Sequence, residues 1–568
     1  MNYLPLPLLA AGLTLVCTAA AADVDLAVVN RIKDQAFNHS RVVEYMHYLA
    51  DENGPRLAAS PAYRRAANWA VDTLHQEGIE NARLEPFGVI GRSWSWSGVS
   101  VQMIAPRSTT LHAVPLAWSS GTEGTVTAPV KFAPLWEDAE DPDQKNLVVL
   151  AHRIEAYRKE YAGQLGGQIV MLSARRPFEL PSTPPTQRWS DDDLADMQSA
   201  RDPLLSDAYE WPLLKYSLDE EQQWLEYEVV PEEIQVDYSN RKRRLMDRLV
   251  RFLNDEQVAA VAMTDRRGDG GVIFAENFGS HLASTAIPPP AVQLMPEHYN
   301  RLVRLLERDV PVTLSVNVEA TFPEQNAEGA NVIAELPGKG KRREVVMMGA
   351  HLDSWHAGTG ATDNAAGVAV VMEAMRILHT LDLDLDRTVR LGLWDGEEIG
   401  HLGSRAYVRE HFGDPVSMTL KPEHETFSVY FNIDTGSGRT RGLLTQANDM
   451  VKPIFAEQMQ PFEELGINTL VPRNDWGTDH QAFDAVGLPA FALLQDSMDY
   501  WSHTHHSNVD TVDHVLPRDL MVSAAFLAAL VYDAATRDHR MPRESLPPPL
   551  PEPCLLYTSD AADDASSV

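Results

Sequence analysis

Cysteine is nearly absent: the 568 residues include only Cys17 and Cys554. Cys17 lies in an apolar leader and Cys554 in an atypical tail. The body of the chain therefore has no disulfide and no thiol nucleophile, which excludes a disulfide-stapled scaffold and a cysteine peptidase. Basic residues are also scarce: 48 Lys and Arg stand against 81 Asp and Glu, a formal net charge of −33. A chain without a basic footprint is not built to hold nucleic acid. Beyond the leader no stretch reads as the roughly 20 consecutive apolar residues of a membrane helix. Internal repeats are missing too. What remains is globular in composition, 44% hydrophobic and 23% charged. It is too long for one ordinary core, so two domains are expected.

Residues 1–22 are apolar, and the small residues Ala20, Ala21 and Ala22 form a cleavage-type end before Asp23. This pattern predicts a removed signal peptide and a secreted or periplasmic protein, with no integral membrane segment left after removal. Residues 541–568 form a tail. The stretch from Cys554 onward reads as a translated sequencing-library transposon end followed by adapter, so 554–568 are expected to be a sequencing artefact.

Between them, residues 27–49 have helical periodicity, 51–61 are rich in turn formers, and Pro61 opens a helix that Gly78 ends. Segments 99–104 and 111–116 read as strands. From 117 to 320 short strand-like runs (124–132, 146–150, 167–172, 258–263) alternate with turns, and 175–240 is Pro- and acid-rich, an expected insertion. Arg241, Lys242, Arg243 and Arg244 precede Leu245, Met246, Leu249 and Phe252, which reads as the solvated face of an amphipathic helix. After Asn331 strands and helices alternate regularly, which implies a mixed, mostly parallel sheet covered on both faces. Segments 332–336 and 344–348, joined through Pro337, Gly338, Lys339 and Gly340, read as a hairpin. The helix after Asn364 should bury Val368, Val371, Met372, Met375 and Leu378.

Ligand-type residues collect where these strands stop. His351 and Asp353 end one strand, and Asp363 follows its glycine-rich loop. Glu397 and Glu398 end the next, Asp434 the next, and His505 and His506 lie between Tyr500 and Asp510. Singly, each is more often a cap or a satisfied polar residue. Together, two imidazoles and three carboxylates at the carboxyl ends of strands in one sheet are the inventory of a two-metal cage. Zinc takes imidazole nitrogen and carboxylate oxygen and keeps a position for water. Two ions roughly 3.5–4 Å apart need a bridging carboxylate. One further carboxylate must move the proton of the attacking water. The neighbours Glu397 and Glu398 can divide ligation and proton transfer. Asp353 can accept the other imidazole N–H of His351 and set its tautomer.

These motifs resemble the co-catalytic di-zinc aminopeptidase and glutamate carboxypeptidase family, and within it the carboxypeptidase Q branch. The likeness rests on Gly349-Ala-His351-Leu-Asp353-Ser-Trp355, the twelve-residue step to Asp363, Leu393-Trp394 before Glu397-Glu398, and Gly477-Thr478-Asp479. Gly54-Pro55-Arg56-Leu57, Ser60-Pro61 and residues 287–294 add to it. It covers about residues 35–535.

The resemblance implies two Zn2+ ions bridged by Asp363. His351 and Asp434 complete one position, and Glu398 and His506 the other. Glu397 becomes the general base, with Asp353 supporting His351. His506 is preferred to His505 because the family ligand stands four residues before an Asp-Thr, here Asp510-Thr511. His505 is left to contact substrate, and Asp479, Thr478 and Trp501 to line its pocket; Asp479 reads equally well as a turn residue. The family often holds the bond after the bridging Asp, here Asp363–Asn364, in the cis form. The implied organisation is a peptidase domain from 23–116 and 321–540, interrupted by a β-rich, protease-associated-like insert at 117–320. The expected activity is that of an exopeptidase acting on dipeptides or free amino termini, with peptide as substrate and a homodimer as an open expectation. A binding protein on an inactive peptidase scaffold, and a single-zinc glutaminyl cyclase, are the alternatives that the full ligand set disfavours.

Overall fold

Val345–His351 is buried at every position. Parallel neighbours flank it, Thr388–Trp394 on one side and Phe427–Asn432 on the other. Its side chains alternate between two cores as strand geometry requires. Val346, Met348 and Ala350 join one core, and Val345 and Met347 the opposite one. This computed structural model describes residues 24–139, 141–177, 184–199, 232–472 and 477–547. The expected leader and the 554–568 tail lie outside those residues, as does part of the 175–240 stretch.

The strand belongs to an eight-stranded mixed sheet. Its order is Arg83–Gly91, Ala327–Leu336, Thr388–Trp394, Val345–His351, Phe427–Asn432, Ala490–Gln495, Thr440–Leu444 and Thr469–Val471. The first two pairings and the pairing of Thr440–Leu444 with Ala490–Gln495 are antiparallel; the rest are parallel. The expected hairpin between 332–336 and 344–348 does not form. Thr388–Trp394 pairs with both segments and separates them. The Pro-Gly signal is local, whereas strand order is set by which neighbours complete the buried sheet.

On one face lies the helix Ala366–Thr380, buried from Ala366 through Leu378. It packs on the sheet beside the helix Pro517–Thr536, which also touches the central strands, and against the helix Leu26–Asn38. The expected stripe of Val368, Val371, Met372, Met375 and Leu378 is all buried. Each such side chain contributes about 1.5–3 kcal/mol. Helix Pro517–Thr536 is long and apolar enough to cross a membrane, contrary to the sequence expectation, but 78% of its apolar window is buried in this core. The opposite face packs against Leu402–His411 and His480–Asp484 through Tyr407, Val408, Ala482 and Phe483.

A second eight-stranded sheet draws on residues 95–321, starting with Ser95–Ala105 ahead of residue 117 and ending with Thr313–Thr321. Helices Leu147–Tyr161 and Glu232–Asp255 pack on one core and Pro296–Leu306 on another. The run 146–150, expected as a strand, begins the first of these helices. The Asn146 side chain accepts hydrogen bonds from Val148 and Val149 N–H and caps it.

Arg56, in the turn-rich 51–61 segment, is completely buried. Its guanidinium donates to the carbonyls of Leu352 at 2.8 Å, Leu49 at 3.0 Å, Thr359 at 3.0 Å and Gly360 at 2.8 Å. It ties the amino-terminal segment to the loop after His351. We expect Arg56→Met to cost at least ~3 kcal/mol, because several buried carbonyls lose charged donors at once. Chemical denaturation measures this, and a variant within about 0.5 kcal/mol of wild type would show that the clamp is dispensable.

His281 and His356 are buried neutral bases, each pushed down by burial from 6.5 to about 4. His356 Nε2 lies 2.6 Å from the Pro115 carbonyl and its ring packs edge-on against Trp94. Below about pH 6.5 the unfolded chain takes up these two protons while the folded chain does not. Stability present above that pH therefore falls as pH drops toward 4, by up to ~3 kcal/mol for each residue. Melting temperature against pH should fall less steeply over this window in His356→Gln than in wild type; equal slopes would contradict the assignment.

Candidate metal centre

The site is assembled at the carboxyl ends of the central strands. His351 is the last residue of its strand. The loop that follows returns through Gly360, whose φ is +66° and where a Cβ would sit 2.5 Å from Ser354. A larger residue there could not let the chain turn back to Asp363. The Asp363–Asn364 bond is cis. Asp510 accepts from Thr362 N–H at 2.6 Å and Asp363 N–H at 3.3 Å. Asn364 donates to the Ile433 carbonyl at 3.0 Å and to Asp434 Oδ1 at 2.9 Å. Glu397 and Glu398 begin the turn after Thr388–Trp394, and their N–H groups donate to the two oxygens of Asp353 at 3.2 and 3.4 Å.

The side chains converge in two halves about Asp363. On one side His351 Nε2 lies 2.8 Å from Asp434 Oδ1 and 3.3 Å from Asp363 Oδ1. On the other, His506 Nε2 lies 3.0 Å from Glu398 Oε2 and 3.3 Å from Asp363 Oδ2. The Asp353 contact differs in detail from expectation. His351 Nδ1 is 2.9 Å from the Asp353 backbone carbonyl and 3.5 Å from its carboxylate. The carboxylate also accepts from the Glu397–Glu398 backbone, because the chain turns immediately after the strand. Glu397 Oε1 is 3.3 Å from His401 Nε2.

The electrostatics follow from crowding. Burial raises Glu398 well above the usual carboxylate range, and neighbouring Asp363 adds to it. Burial likewise raises Asp434, to about 7. Asp363 goes the other way: its burial is outweighed by His351 and His506, which hold it low. Burial also acts to lower the two imidazoles, yet the surrounding carboxylates raise both well above 6.5. Desolvation and the adjacent His506 push His505 down to about 3.

His505 stacks on His506 with ring centroids 3.6 Å apart, and Trp501 reaches it at 5.0 Å. Asp363, His505 and His506 each bring a ligand-type atom within 4.8 Å of the others, as do His351, Asp363 and Asp434. The Glu398 contact falls to His506. Asp479 is fully buried, with Ser404 Oγ donating to it at 2.5 Å, and Thr478 accepts from Asn432 at 2.8 Å. Trp501 is half-exposed.

Three residues of the site were not legible beforehand. Asp510 serves in the sequence only to place His506. His401 and Glu276 carry no motif, and Glu276 comes from the second sheet's region. Its Oε1 lies 2.8 Å from His506 Nδ1.

The donor set fits divalent cations. Among the described residues, Oδ2 of Asp363 is buried without a well-formed hydrogen bond, His506 Nε2 being 3.3 Å away, and the carboxylates of Asp363, Asp434 and Glu398 crowd two imidazoles. Two imidazoles cannot neutralise that charge, whereas metal ions would. His351, Asp434 and Asp363 are one set of donors; His506, Glu398 and Asp363 are the other.

The fold and this donor set together define a metallopeptidase. Residues 331–531 match the model of peptidase family M28. Carboxypeptidase Q of Homo sapiens is 25% identical over 530 residues, covering 92% of this chain and 91% of that protein. Among solved structures, a peptidase M28 precursor from Shewanella amazonensis aligns with a TM-score of 0.63 at 22% identity, over 92% of this chain and 98% of its own. A zinc aminopeptidase from Bacillus subtilis aligns with a TM-score of 0.52 at 16% identity, over 88% and 95%.

Proposed function

We propose that the chain is an exported di-zinc exopeptidase that hydrolyses dipeptides or releases residues from free amino termini. The observation that carries this reading is the posture of Asp363, with one oxygen toward His351 and the other toward His506. That is the arrangement a bridging carboxylate needs. His351 and Asp434 would hold one zinc ion, and Glu398 and His506 the second.

Bound zinc supplies an acidified water and polarises the scissile carbonyl. Glu397, beside the ligands but committed to neither set, would take the proton of the attacking water on its carboxylate and deliver it to the leaving amine nitrogen. His401 at 3.3 Å orients that carboxylate. Asp353 holds the Glu397–Glu398 turn through two backbone N–H groups, so the base and its ligand neighbour are set together. His505, stacked on His506, would donate to the developing oxyanion, with Trp501 at the rim and Asp479 and Thr478 supporting the floor. The 117–320 region is read as a protease-associated-like unit over the site, and the apolar leader as the export signal. The presence of Glu397 together with all five ligands weighs against an inactive scaffold.

Zinc content should be two per chain, and hydrolysis should be seen on dipeptides or aminoacyl amides but not within longer chains. A protein that binds zinc yet cuts none of these substrates, or cyclises amino-terminal glutamine instead, would overturn the reading.

A further inference from the structure

The two halves of the centre are built from different parts of the chain. His351, Asp363 and Asp434 all stand on the peptidase sheet and its loops. The His506 half does not stand alone. Ala275 N–H donates to the His506 carbonyl at 3.0 Å, and Asn508 N–H to the Ile273 carbonyl at 3.0 Å. Asn508 Oδ1 accepts from Ile273 N–H at 2.6 Å, and Phe274 pairs with Ser507 as an antiparallel bridge. The segment 273–276, between two strands of the second sheet, thus runs as a short partner strand along the loop that carries His506.

From that segment Glu276 reaches His506 Nδ1 at 2.8 Å. Arg267 Nη2 lies 3.2 Å from the same Glu276 oxygen, and its guanidinium sits 4.5 Å from the Phe274 ring centroid. Arg267 is also paired to Asp265 at 3.1 Å, so it is fixed from both sides. A carboxylate on the far nitrogen of a metal-binding imidazole fixes the tautomer, presents Nε2 to the metal and raises its basicity. Among the described residues, none of the second sheet's region plays that part for His351, whose Nδ1 faces Asp353 of its own loop, 2.9 Å from the carbonyl and 3.5 Å from the carboxylate.

We infer that Glu276 is a positioning residue for His506, so that the zinc position of His506 and Glu398 is completed by the second sheet's region while that of His351 and Asp434 is not. This inference rests on the di-zinc reading above. Its consequence is unequal metal retention: weakening the contact between the two parts empties one position before the other. His506 has a positive φ of 63°, a conformation uncommon for a residue with a side chain, and the bridge to 273–276 holds it there.

The test is zinc content of the full-length protein dialysed against a graded series of zinc buffers, with folding followed by circular dichroism and melting. Wild type should titrate to two ions. Glu276→Gln, which keeps an acceptor but loses the charge, should hold one ion as wild type does and the second about 10-fold more weakly. Glu276→Ala should approach 100-fold for that ion, the range for outer partners of a metal-binding imidazole. Asp269→Asn, which removes an exposed ion pair to Arg176 at 3.6 Å in the same region, should leave both affinities unchanged. Should Glu276→Ala fail to fold, the Gln variant and Arg267→Met carry the same comparison. Fewer than two ions in wild type would sink the di-zinc reading and this inference with it. Two ions in wild type, with both kept at unchanged affinity or both weakened equally in the Glu276 variants, would sink the inference alone.

Discussion

Glu397→Ala should retain both zinc ions and lose at least ~100-fold in turnover on a dipeptide or aminoacyl amide, the lower end of what general acid–base catalysis supplies. The expectation comes from position. Glu397 follows the strand end directly, its N–H is fixed by Asp353 at 3.2 Å, and its carboxylate touches His401 rather than either ligand pair. Removing it takes away a proton carrier and leaves all five donors in place. Metal content and KM should therefore stay near wild type while kcat falls. Near-normal turnover in the purified variant would take the general-base role away from Glu397. Loss of zinc in parallel with activity would instead make it a ligand.

Asp363→Ala should be more severe, because it acts on both halves at once. With one oxygen 3.3 Å from His351 Nε2 and the other 3.3 Å from His506 Nε2, this carboxylate is the one group shared by the two donor sets. The variant should bind less than one zinc under buffers that give two in wild type. Activity should fall at least ~1000-fold, since a metal's stabilisation of developing charge is worth several kcal/mol and each 1.36 kcal/mol is tenfold in rate. The site's carboxylates would then crowd one another with fewer compensating charges, so the metal-free protein is the proper reference for any stability change. Retention of two ions after this substitution would show that the halves are independent, and the bridge reading would fail.

Much of the fold was readable because it is local. The helix after Asn364 announced itself by apolar spacing, Pro61 and Gly78 marked the helix between them, and the buried strands read as continuous apolar runs. The hairpin at 332–348 was misread for the complementary reason. A turn signal reports on the four or five residues around it, and it cannot report that Thr388–Trp394 enters between the two flanking strands. The run at 146–150 reads as a strand because Val148 and Val149 are β-prone within a short apolar run, while the Asn146 cap and the following charged residues commit it to a helix.

The candidate site divides in the same way. That His351, Asp363, Glu397, Glu398, Asp434 and His506 are candidates is legible because each sits at a strand end or beside a turn, and because ligation demands particular side-chain types. The sequence alone determined that a metal-hydrolytic inventory is present and that no thiol chemistry competes with it. Only the tertiary structure decided how the pieces meet. It turned His506 toward Glu398, set the Asp353 carboxylate against both His351 and the backbone of the Glu397–Glu398 turn, buried Asp479, and brought Glu276 across 230 residues of chain to the back of His506. The reason is physical. Ligand type is a property of a residue, whereas the direction of a lone pair and the partner of a second ring nitrogen are set by sheet order and by the docking of one part of the chain on another.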